Sequence, residues 1–474
     1  MRNVVYSVSS QIFLICLITL MACGDDENTD SVINAAEDLT QKLNGSDVIM
    51  QSFYWDVEPR GDWYVLLDGK IENWADVGVG KIWLPAPGKG ASGGFSMGYD
   101  PYDYFDVGEF NQKGTVETRF GSRLELENLI DKAHSNDIEV LADIVIGHNH
   151  GADQQEVNPL RDTDQLQWTK FLPQSGKFLR TYEDFHPNST HDGFDEEALF
   201  FAENDLCHEV DNVQNWLWKN DDSVAKFYKN ELGFDGWRFD YVKSFSPHWV
   251  EEWMNEVGGF AVGEYWDGDK NKLQSWVTGT NRTSSAFDFA TFYVLQNALD
   301  NNNLSVLSSN NMLWKHDPFK AVTFVANHDT EKDTNTGNFI EPTNKRMAYA
   351  YLLTHEGYPC IFYNDYESLW KDEIANLILI HNSIASGSTT ILYADEDEYI
   401  ARRNGANGSP GLLVYMNLSS GETVRNVATN WNGGQTLVDY SKSSNQVLTV
   451  STDGSVDLRS PAGRSYAIWS LQDF

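Results

Sequence analysis

Short apolar runs alternate with helix-like segments along most of the chain. These runs are apolar on both faces and rich in Val, Ile, Phe and Trp, which is typical of buried parallel strands. We predict strands at 48–55, 81–84, 138–146, 235–239, 260–263, 285–290, 321–326 and 359–363. Segments with apolar residues at helical spacing lie between several of them, at 63–77, 123–135, 210–231 and 246–257. Eight alternating strand and helix signals predict an α/β fold, a (β/α)8 TIM barrel.

The alternation stops in two places. Residues 147–208 are polar and rich in histidine, without a clear strand–helix rhythm, and they predict an insertion after the third strand. After 386 the chain becomes short apolar runs separated by Gly, Asn and Ser, which favours a small antiparallel β domain. Its predicted strands are 389–393, 399–402, 411–417, 446–451 and 464–470. The predicted organisation is a barrel from 47–146 and 209–386, an insertion (domain B) at 147–208, and a C-terminal β-sandwich-like domain at 387–474.

The first residues carry an export pattern. An apolar run from Ile12 to Met21 follows Arg2 and is too short for a confident membrane span, so it is interpreted as a signal peptide. The run ends in Leu-Met-Ala-Cys at Cys23, which resembles the lipobox of bacterial lipoproteins. This implies a lipoprotein signal peptide at 1–22, an acidic tether at 23–46 and a lipid anchor on the Cys23 thiol. The alternative is an ordinary signal peptide cleaved nearby.

Composition narrows the classes of partner. The 474 residues are 41% hydrophobic and carry a net charge of −36, so the chain is globular and unsuited to nucleic acid or an anionic membrane surface. That charge does not exclude a neutral substrate. The four cysteines, Cys16, Cys23, Cys207 and Cys360, do not form a disulfide framework. We expect an exported, membrane-anchored monomer at the cell envelope or surface.

Two neighbouring predicted strands end on carboxylates. Asp240 follows the run 235–239 and Glu264 follows the run 260–263, with a helical segment between them. A β-α-β unit places both acids at adjacent strand ends of one sheet. Arg238 lies two residues before Asp240, on the same side of the strand, where it would favour the charged carboxylate. Two carboxylates at a barrel mouth are the minimal equipment for cutting a glycosidic bond.

Four short motifs carry a resemblance to a known family. GFDGWRFDYVK, AVGEYW, FVANHD and ADIVIGH resemble the motifs of the α-amylase family of glycoside hydrolases. The longer run SMGYDPYDYFDVGEFNQKGTVETRFG looks like the α-amylases of the archaeal and plant type, and the resemblance extends over about 46–474. It implies endo-hydrolysis of α-1,4-glucosidic bonds in starch, glycogen and maltooligosaccharides, with retention of configuration through a covalent glycosyl-enzyme.

The resemblance also implies a role for each motif residue. Asp240 corresponds to the nucleophile, Glu264 to the general acid and then base, and Asp329 to the acid that stabilises the transition state. The two other carboxylates should raise the pKa of Glu264 so that it can donate a proton near neutrality. The implied substrate-binding residues are Tyr99, His148, Arg238, Lys243, Trp266 and His328.

Members of this type carry calcium between the insertion and the barrel. The resemblance assigns Asp205 and the Ser244 carbonyl as calcium ligands, because calcium takes carboxylate and carbonyl oxygens. Gly147 stands where the family has asparagine, which removes one side-chain ligand. Asp192 or Asp195 would replace that ligand.

Archaeal relatives also bind zinc near this calcium. His186, His191 and Cys207 match that zinc set, and imidazole and thiolate suit Zn²⁺. The alternative is a free buried cysteine with surface histidines.

Two alternative functions stay open from the sequence. One is a non-catalytic starch-binding lipoprotein on the same scaffold, and the other is another α-glucan-active enzyme, a transglycosylase or an α-1,6 debrancher. The three acids and Arg238 disfavour the first, and the resemblance to archaeal-type amylases disfavours the second. Release of reducing sugar from soluble starch separates the first from an amylase.

Overall fold

Eight short parallel strands, buried along most of their length, close into a barrel because predominantly apolar strands need cover on both faces. In the computed structural model they are Ile49–Gln51, Lys81–Leu84, Glu139–Ile144, Gly236–Phe239, Phe260–Gly263, Ser285–Phe287, Ala321–Phe324 and Tyr358–Phe362. Each pairs with the next along the chain, and the first closes on the last with Met50 opposite Ile361. The predicted (β/α)8 barrel is confirmed, with strands shorter than several of the apolar runs.

The structure describes residues 47–161, 165–193, 201, 204–331 and 337–474. The predicted signal peptide, the tether and Cys23 lie outside the described residues, as does Asp195. Among the helices in the described ranges, none has the length and apolar character to cross a bilayer.

Helices surround the barrel and pack apolar faces against it. Within the described residues the α-helices are Trp63–Asp68, Ile71–Asp76, Arg123–His134, Asp211–Gln214, Val224–Phe227, Pro247–Val257, Lys270–Gly279, Phe289–Asp300, Lys345–Thr354, Tyr363–Tyr366 and Lys371–Ile384. Ser122 begins one of them with a capping box, in which its side chain and that of Glu125 each accept from the other's backbone N–H. Ser246 caps the helix between the two central strands, and Pro247 occupies its first turn.

Two predicted helices are interrupted. The segment 63–77 forms two helices around Gly69 and Lys70. The segment 210–231 forms two short α-helices, each followed by a π-helical turn, at Asn215–Lys219 and Tyr228–Leu232. Asn220 between them has an extended backbone, which stops the first half. Apolar periodicity continues across both breaks, so the pattern did not reveal them.

The insertion contains a β hairpin that its polar sequence did not predict. Strand Gln154–Val157 pairs antiparallel with Leu166–Lys170. The insertion returns to the barrel where His148 and Asp205 form a bridge and the Leu206 N–H donates to the Gly147 carbonyl at 3.0 Å. This junction places the end of the insertion beside the barrel mouth.

The C-terminal region is antiparallel, as predicted. Its main sheet has the spatial order Thr389–Ala394, Glu398–Arg403, Leu412–Asn417, Ser465–Leu471, Thr436–Asp439 and Val447–Thr449, and Thr423–Ala428 pairs with Ser455–Ser460 beside it. Trp469 and Trp431 are 0% and 9% exposed in its core, which agrees with the interpretation that both are structural. Three of these strands, 423–428, 436–439 and 455–460, were not predicted from the sequence.

Candidate active site

One buried guanidinium joins the acids at the barrel mouth. Arg238 lies at the end of its strand and is 0% exposed. Its Nη1 donates to Asp240 Oδ1 at 2.7 Å, and its Nη2 lies 2.9 Å from Glu264 Oε1. The neighbouring strands pair Arg238 with Val262, which brings the two carboxylates to one guanidinium. The Arg238 guanidinium therefore holds both carboxylates in fixed positions at the floor of the mouth.

The surroundings of Glu264 favour its protonated form. Burial raises its pKa to about 8; Arg238 opposes this shift, and the Asp240 and Asp329 carboxylates add to it. The Tyr241 backbone N–H donates to Glu264 Oε2 at 3.1 Å, and Tyr241 adopts the left-handed backbone region with φ of 37°. A carboxyl with this pKa is protonated near neutrality, as a general acid requires.

A fourth carboxylate lies behind the first three and was missed at the sequence level. Asp143 is 1% exposed within the third barrel strand. It accepts from Arg238 Nη1 at 2.9 Å, from the Tyr99 hydroxyl at 2.9 Å and from the Trp83 indole at 3.1 Å. Burial raises its pKa to about 6. The signal in the sequence was an acid inside an otherwise apolar run.

Asp329 and His328 occupy the opposite wall. His328 Nε2 lies 3.2 Å from Asp329 Oδ2 and 2.9 Å from the Tyr99 hydroxyl. Burial and the Arg238 guanidinium hold the pKa of His328 well below its usual value, so the imidazole is neutral. The Asp329 side chain is 34% exposed and therefore reachable by a ligand.

An open cavity of about 380 Å³ lies above these groups, a size suited to a small-molecule or oligomer segment. The residues that line it are Trp55, Tyr99, His148, Phe201, Asp240, Tyr241, Glu264, Trp266, His328 and Asp329. Seven of the nine residues named from the sequence as catalytic or substrate-binding are therefore brought together. Arg238 lies beneath them. Lys243 does not line the cavity, and its ammonium lies 3.6 Å from Asp267 and over the Tyr265 ring.

Aromatic rings form the cavity walls, and sequence reasoning missed two of the exposed ones. Trp55 is 46% exposed and lies nearly parallel to Tyr99 and His328, with centroid distances of 5.6 and 5.9 Å. Phe201 stacks on His150 at 4.2 Å. Flat apolar faces beside hydrogen-bonding groups suit sugar rings. The signal for Trp55 was an aromatic residue at the carboxyl end of the first apolar run.

His148 and Trp266 are held by defined contacts. His148 Nε2 lies 2.9 Å from the Tyr99 carbonyl oxygen. The Trp266 indole donates to the Tyr293 hydroxyl at 2.9 Å, and its ring stacks on Phe289 at 4.7 Å. Both side chains therefore have fixed orientations at the cavity edge.

A second cluster lies in the insertion and suits a metal ion. His186, His191, Cys207 and Glu209 each offer one donor atom, and these atoms all lie within 4.8 Å of one another. His186 Nδ1 also lies 3.0 Å from Asp205 Oδ2, the arrangement in which a carboxylate orients a metal-binding imidazole. Two imidazoles, a thiolate and a carboxylate fit tetrahedral zinc. Glu209 was not predicted from the sequence.

The expected calcium ligands fit less well. A Cβ at position 147 would lie 2.3 Å from Ser244 Oγ, so the Ser244 side chain fills the space that a larger side chain at Gly147 would need. Asp205 already contacts His186, and Asp192 is exposed. Calcium takes six to eight oxygens. Asp205 and Ser244 alone do not supply this number.

Comparisons with known proteins agree with this geometry. The family model described as alpha amylase, catalytic domain, matches residues 44–369, and the model described as alpha-amylase C-terminal matches residues 412–470. The chain is 30% identical to an alpha-amylase of Geobacillus stearothermophilus, covering 90% of this chain and 87% of the relative. It is 29% identical to the probable alpha-amylase 2 of Arabidopsis thaliana, covering 80% of this chain and 89% of that relative.

A solved structure has the same fold. An Anoxybacillus alpha-amylase superposes with a TM-score of 0.68 at 18% identity, covering 91% of this chain and 98% of that chain.

Proposed function

The chain belongs to the alpha-amylase family of glycoside hydrolases, and we propose that it hydrolyses internal α-1,4-glucosidic bonds of starch and glycogen with retention of configuration. The observation that carries the proposal is the single buried guanidinium of Arg238, which touches both Asp240 and Glu264. One cation that reaches both carboxylates keeps them close together, as a retaining mechanism requires.

The geometry supports a division of labour among the acids. Asp240, in contact with Arg238, attacks the anomeric carbon and forms a covalent glycosyl-enzyme. Glu264, with its raised pKa, donates a proton to the leaving oxygen and then takes one from the incoming water. Asp329 stabilises the positive charge that develops on the sugar ring. Tyr99, Trp55 and Trp266 position the glucan chain.

The test is activity on soluble starch for Asp240→Asn. We expect reducing-sugar release to fall by about 10⁴-fold or more, because no other group replaces a nucleophile. Asp235→Asn is the matched control. Asp235 lies at the other end of the same strand, where it contacts His134 at 2.8 Å, and its loss should leave kcat near wild type. A wild-type protein inert toward starch would contradict the proposal and favour a binding protein.

Analysis of the products tests three further points: retention of configuration, endo action, and hydrolysis rather than transfer or debranching. NMR of fresh product should show the α anomer first, and initial release of the β anomer would contradict retention. An endo enzyme shortens amylose rapidly while little reducing sugar forms. Transfer products longer than the substrate would indicate the transglycosylase alternative, and cleavage of pullulan without cleavage of amylose would indicate a debrancher.

We infer two metal sites from the donor sets. The cluster of His186, His191, Cys207 and Glu209 would hold zinc, which would tie the insertion to the barrel junction. Asp205 and the Ser244 carbonyl are an incomplete set for calcium, and we propose that calcium binds there only with further oxygen donors. Elemental analysis of purified protein tests both, and zinc or calcium well below one per chain would remove the corresponding site.

We also propose that the protein is exported and anchored through a lipid on Cys23. The support is the sequence alone, from the apolar run through Leu-Met-Ala-Cys. Cys23→Ser should move the protein from the membrane fraction to the soluble fraction. A protein that is equally soluble with and without the substitution would contradict the anchor.

A further inference from the structure

Four side chains form a continuous hydrogen-bonded chain across the floor of the cavity. Gln51 Nε2 lies 2.8 Å from His328 Nδ1, and His328 Nε2 lies 2.9 Å from the Tyr99 hydroxyl. The Tyr99 hydroxyl lies 2.9 Å from Asp143 Oδ2. Gln51 and Asp143 are 0% and 1% exposed, so both ends of the chain are fixed inside the barrel.

The direction of each hydrogen bond follows from the acidic end. An ionised carboxylate only accepts, so the Tyr99 hydroxyl donates its hydrogen to Asp143. The Tyr99 oxygen can then only accept a hydrogen from His328. Asp329 Oδ2 lies 3.2 Å from His328 Nε2, and a carboxylate oxygen also accepts. Both need a hydrogen on His328 Nε2. The neutral imidazole carries only one N–H, so its Nδ1 presents a lone pair.

A lone pair at Nδ1 requires a donor, and Gln51 supplies it. The amide places its nitrogen toward the imidazole, while Gln51 Oε1 is buried without a hydrogen-bond partner among the described residues. The unpaired oxygen costs free energy, so the contact to His328 is the interaction that orients this amide.

We propose that Gln51 is a positioning residue that fixes His328 as the neutral tautomer with hydrogen on Nε2. The inference rests on the proposed function, in which His328 hydrogen-bonds the sugar beside the nucleophile. With the hydrogen fixed on Nε2, the imidazole is a donor toward Tyr99 and toward the side of the cavity on which Asp329 lies. The same series of hydrogen bonds fixes the orientation of the Tyr99 ring through its hydroxyl.

Charge around the imidazole is consistent with the neutral form. Arg238 opposes a second proton, while Asp240 favours one, and burial decides the balance by keeping the pKa of His328 well below its usual value. Tautomer, rather than net charge, is therefore the property that Gln51 controls.

The direct test is nitrogen NMR of the full chain labelled with ¹⁵N-histidine, without substrate at pH 7. His328→Gln identifies the His328 signals by their loss. We expect an unprotonated, hydrogen-bonded Nδ1 and a protonated Nε2. In Gln51→Leu the Nδ1 signal should move toward that of a lone pair without a donor. A protonated Nδ1 in the wild type would overturn the proposal, as would an unchanged Nδ1 signal in folded Gln51→Leu.

Kinetics give the second measurement. Gln51→Leu should lower kcat/KM on starch by about tenfold, the usual scale for loss of one buried hydrogen bond. Ser52→Ala is the control, because it removes a buried hydrogen bond to the Trp83 carbonyl from the next residue of the chain, just past the same strand. It should keep wild-type Nδ1 and Nε2 signals, and equal losses of kcat/KM in the two variants would overturn the proposal.

The two proposals fail separately. The tautomer is measured without substrate, so a wild-type protein that does not act on starch contradicts only the proposed function. If Gln51→Leu does not fold, the wild-type Nδ1 signal still tests the inference: a hydrogen-bonded lone pair supports a donor at Gln51, and a protonated or unbonded Nδ1 overturns it.

Discussion

The barrel mouth and the insertion both bring ionisable side chains together. At the mouth a side chain supplies the positive charge, whereas the insertion cluster is suited to a metal ion that would supply it. At the mouth, the guanidinium of Arg238 contacts three carboxylates, those of Asp143, Asp240 and Glu264. In the insertion, two imidazoles, Cys207 and Glu209 bring their donor atoms together within 4.8 Å, and Cys207 Sγ donates to Glu209 at 3.3 Å. The mouth contains its own cation, whereas the insertion presents ligands to one.

This difference separates two ways of stabilising a charged cluster. A cation built into the chain is present whenever the protein is folded, so the mouth depends on folding alone. Ligands that converge on an ion stabilise the fold only when the ion is bound. Changes at the mouth should therefore affect catalysis whatever the metal content, and changes in the insertion should affect stability in a metal-dependent way.

Among the changes that test this difference between the two regions, Arg238→Met should have the largest effect, because it removes the cation from the mouth. The three carboxylates that contact the guanidinium would then lose their compensating charge, and we expect kcat/KM to fall at least about 10³-fold. Breaking a buried ion pair also costs about 3–5 kcal/mol of unfolding free energy. Starch assays and chemical denaturation measure the two effects.

A double variant tests the cause of that loss. Adding Asp143→Asn to Arg238→Met removes one buried negative charge, so part of the stability should return while activity stays low. Stability that does not recover would show that the guanidinium acts by packing rather than by charge.

The next effect is metal dependence in the insertion. Removal of metal by a chelator should lower the unfolding temperature of the wild type, because an ion at a thousand times its dissociation constant contributes about 4 kcal/mol. Cys207→Ser and Glu209→Gln should unfold at lower temperature and lose most of the response to chelator. Differential scanning calorimetry with and without added zinc measures this.

Cys360→Ser is the matched control for the thiol. Cys360 is also a free, buried cysteine, but it lies in the eighth barrel strand, away from the cluster. It should keep the full response to zinc. An equal loss of response in both cysteine variants would contradict a zinc site at Cys207.

The sequence predicted the barrel well because the two periodicities of buried strands and amphipathic helices are strong over this length. The acids Asp240, Glu264 and Asp329 stand just past apolar runs, where a change from apolar to charged is conspicuous. The C-terminal strands 423–428 and 455–460 were missed because their exposed faces carry polar residues and their apolar positions are few.

The site residues that were not predicted from the sequence were missed for a different reason. Asp143 and Gln51 lie inside strands, and a polar residue within an apolar run does not show what it contacts across the barrel. Glu209 is close in sequence to Cys207, but its carboxylate meets His186 and His191 only through the fold of the insertion. Contacts between distant segments carry no local pattern, so structure was needed to find them.

A smaller effect is expected in the pH profile. Burial, with the Asp240 and Asp329 carboxylates, raises the pKa of Glu264 to about 8 from a usual 4.5. Because the folded chain then holds this proton more tightly than the unfolded chain, the free energy of unfolding should decrease as pH rises from about 4.5 to about 8. Above about 8 the general acid loses its proton, so kcat/KM should fall about tenfold per pH unit.

Asp329→Asn sharpens this prediction. It removes a negative neighbour, so the alkaline limb of the residual activity should move to lower pH. Asp267→Asn is the control, since Asp267 pairs with Lys243 and Lys272 outside the cluster. If the alkaline limb stays in place in Asp329→Asn, the Asp329 carboxylate does not contribute to the raised pKa of Glu264.

The smallest effect compares two tryptophans of equal exposure, one in each region. Trp55 at the mouth is 46% exposed and Trp168 on the insertion hairpin is 48% exposed, so the loss of exposed apolar surface on substitution is similar. Only Trp55 lies parallel to Tyr99 and His328 within the cavity. Trp55→Ala should cost about 0.5–1.5 kcal/mol of stacking, a two- to tenfold rise in KM for maltooligosaccharides with little change in kcat. Trp168→Ala should leave KM unchanged. If both substitutions raise KM equally, glucan recognition extends onto the insertion, and the functional division between the mouth and the insertion fails.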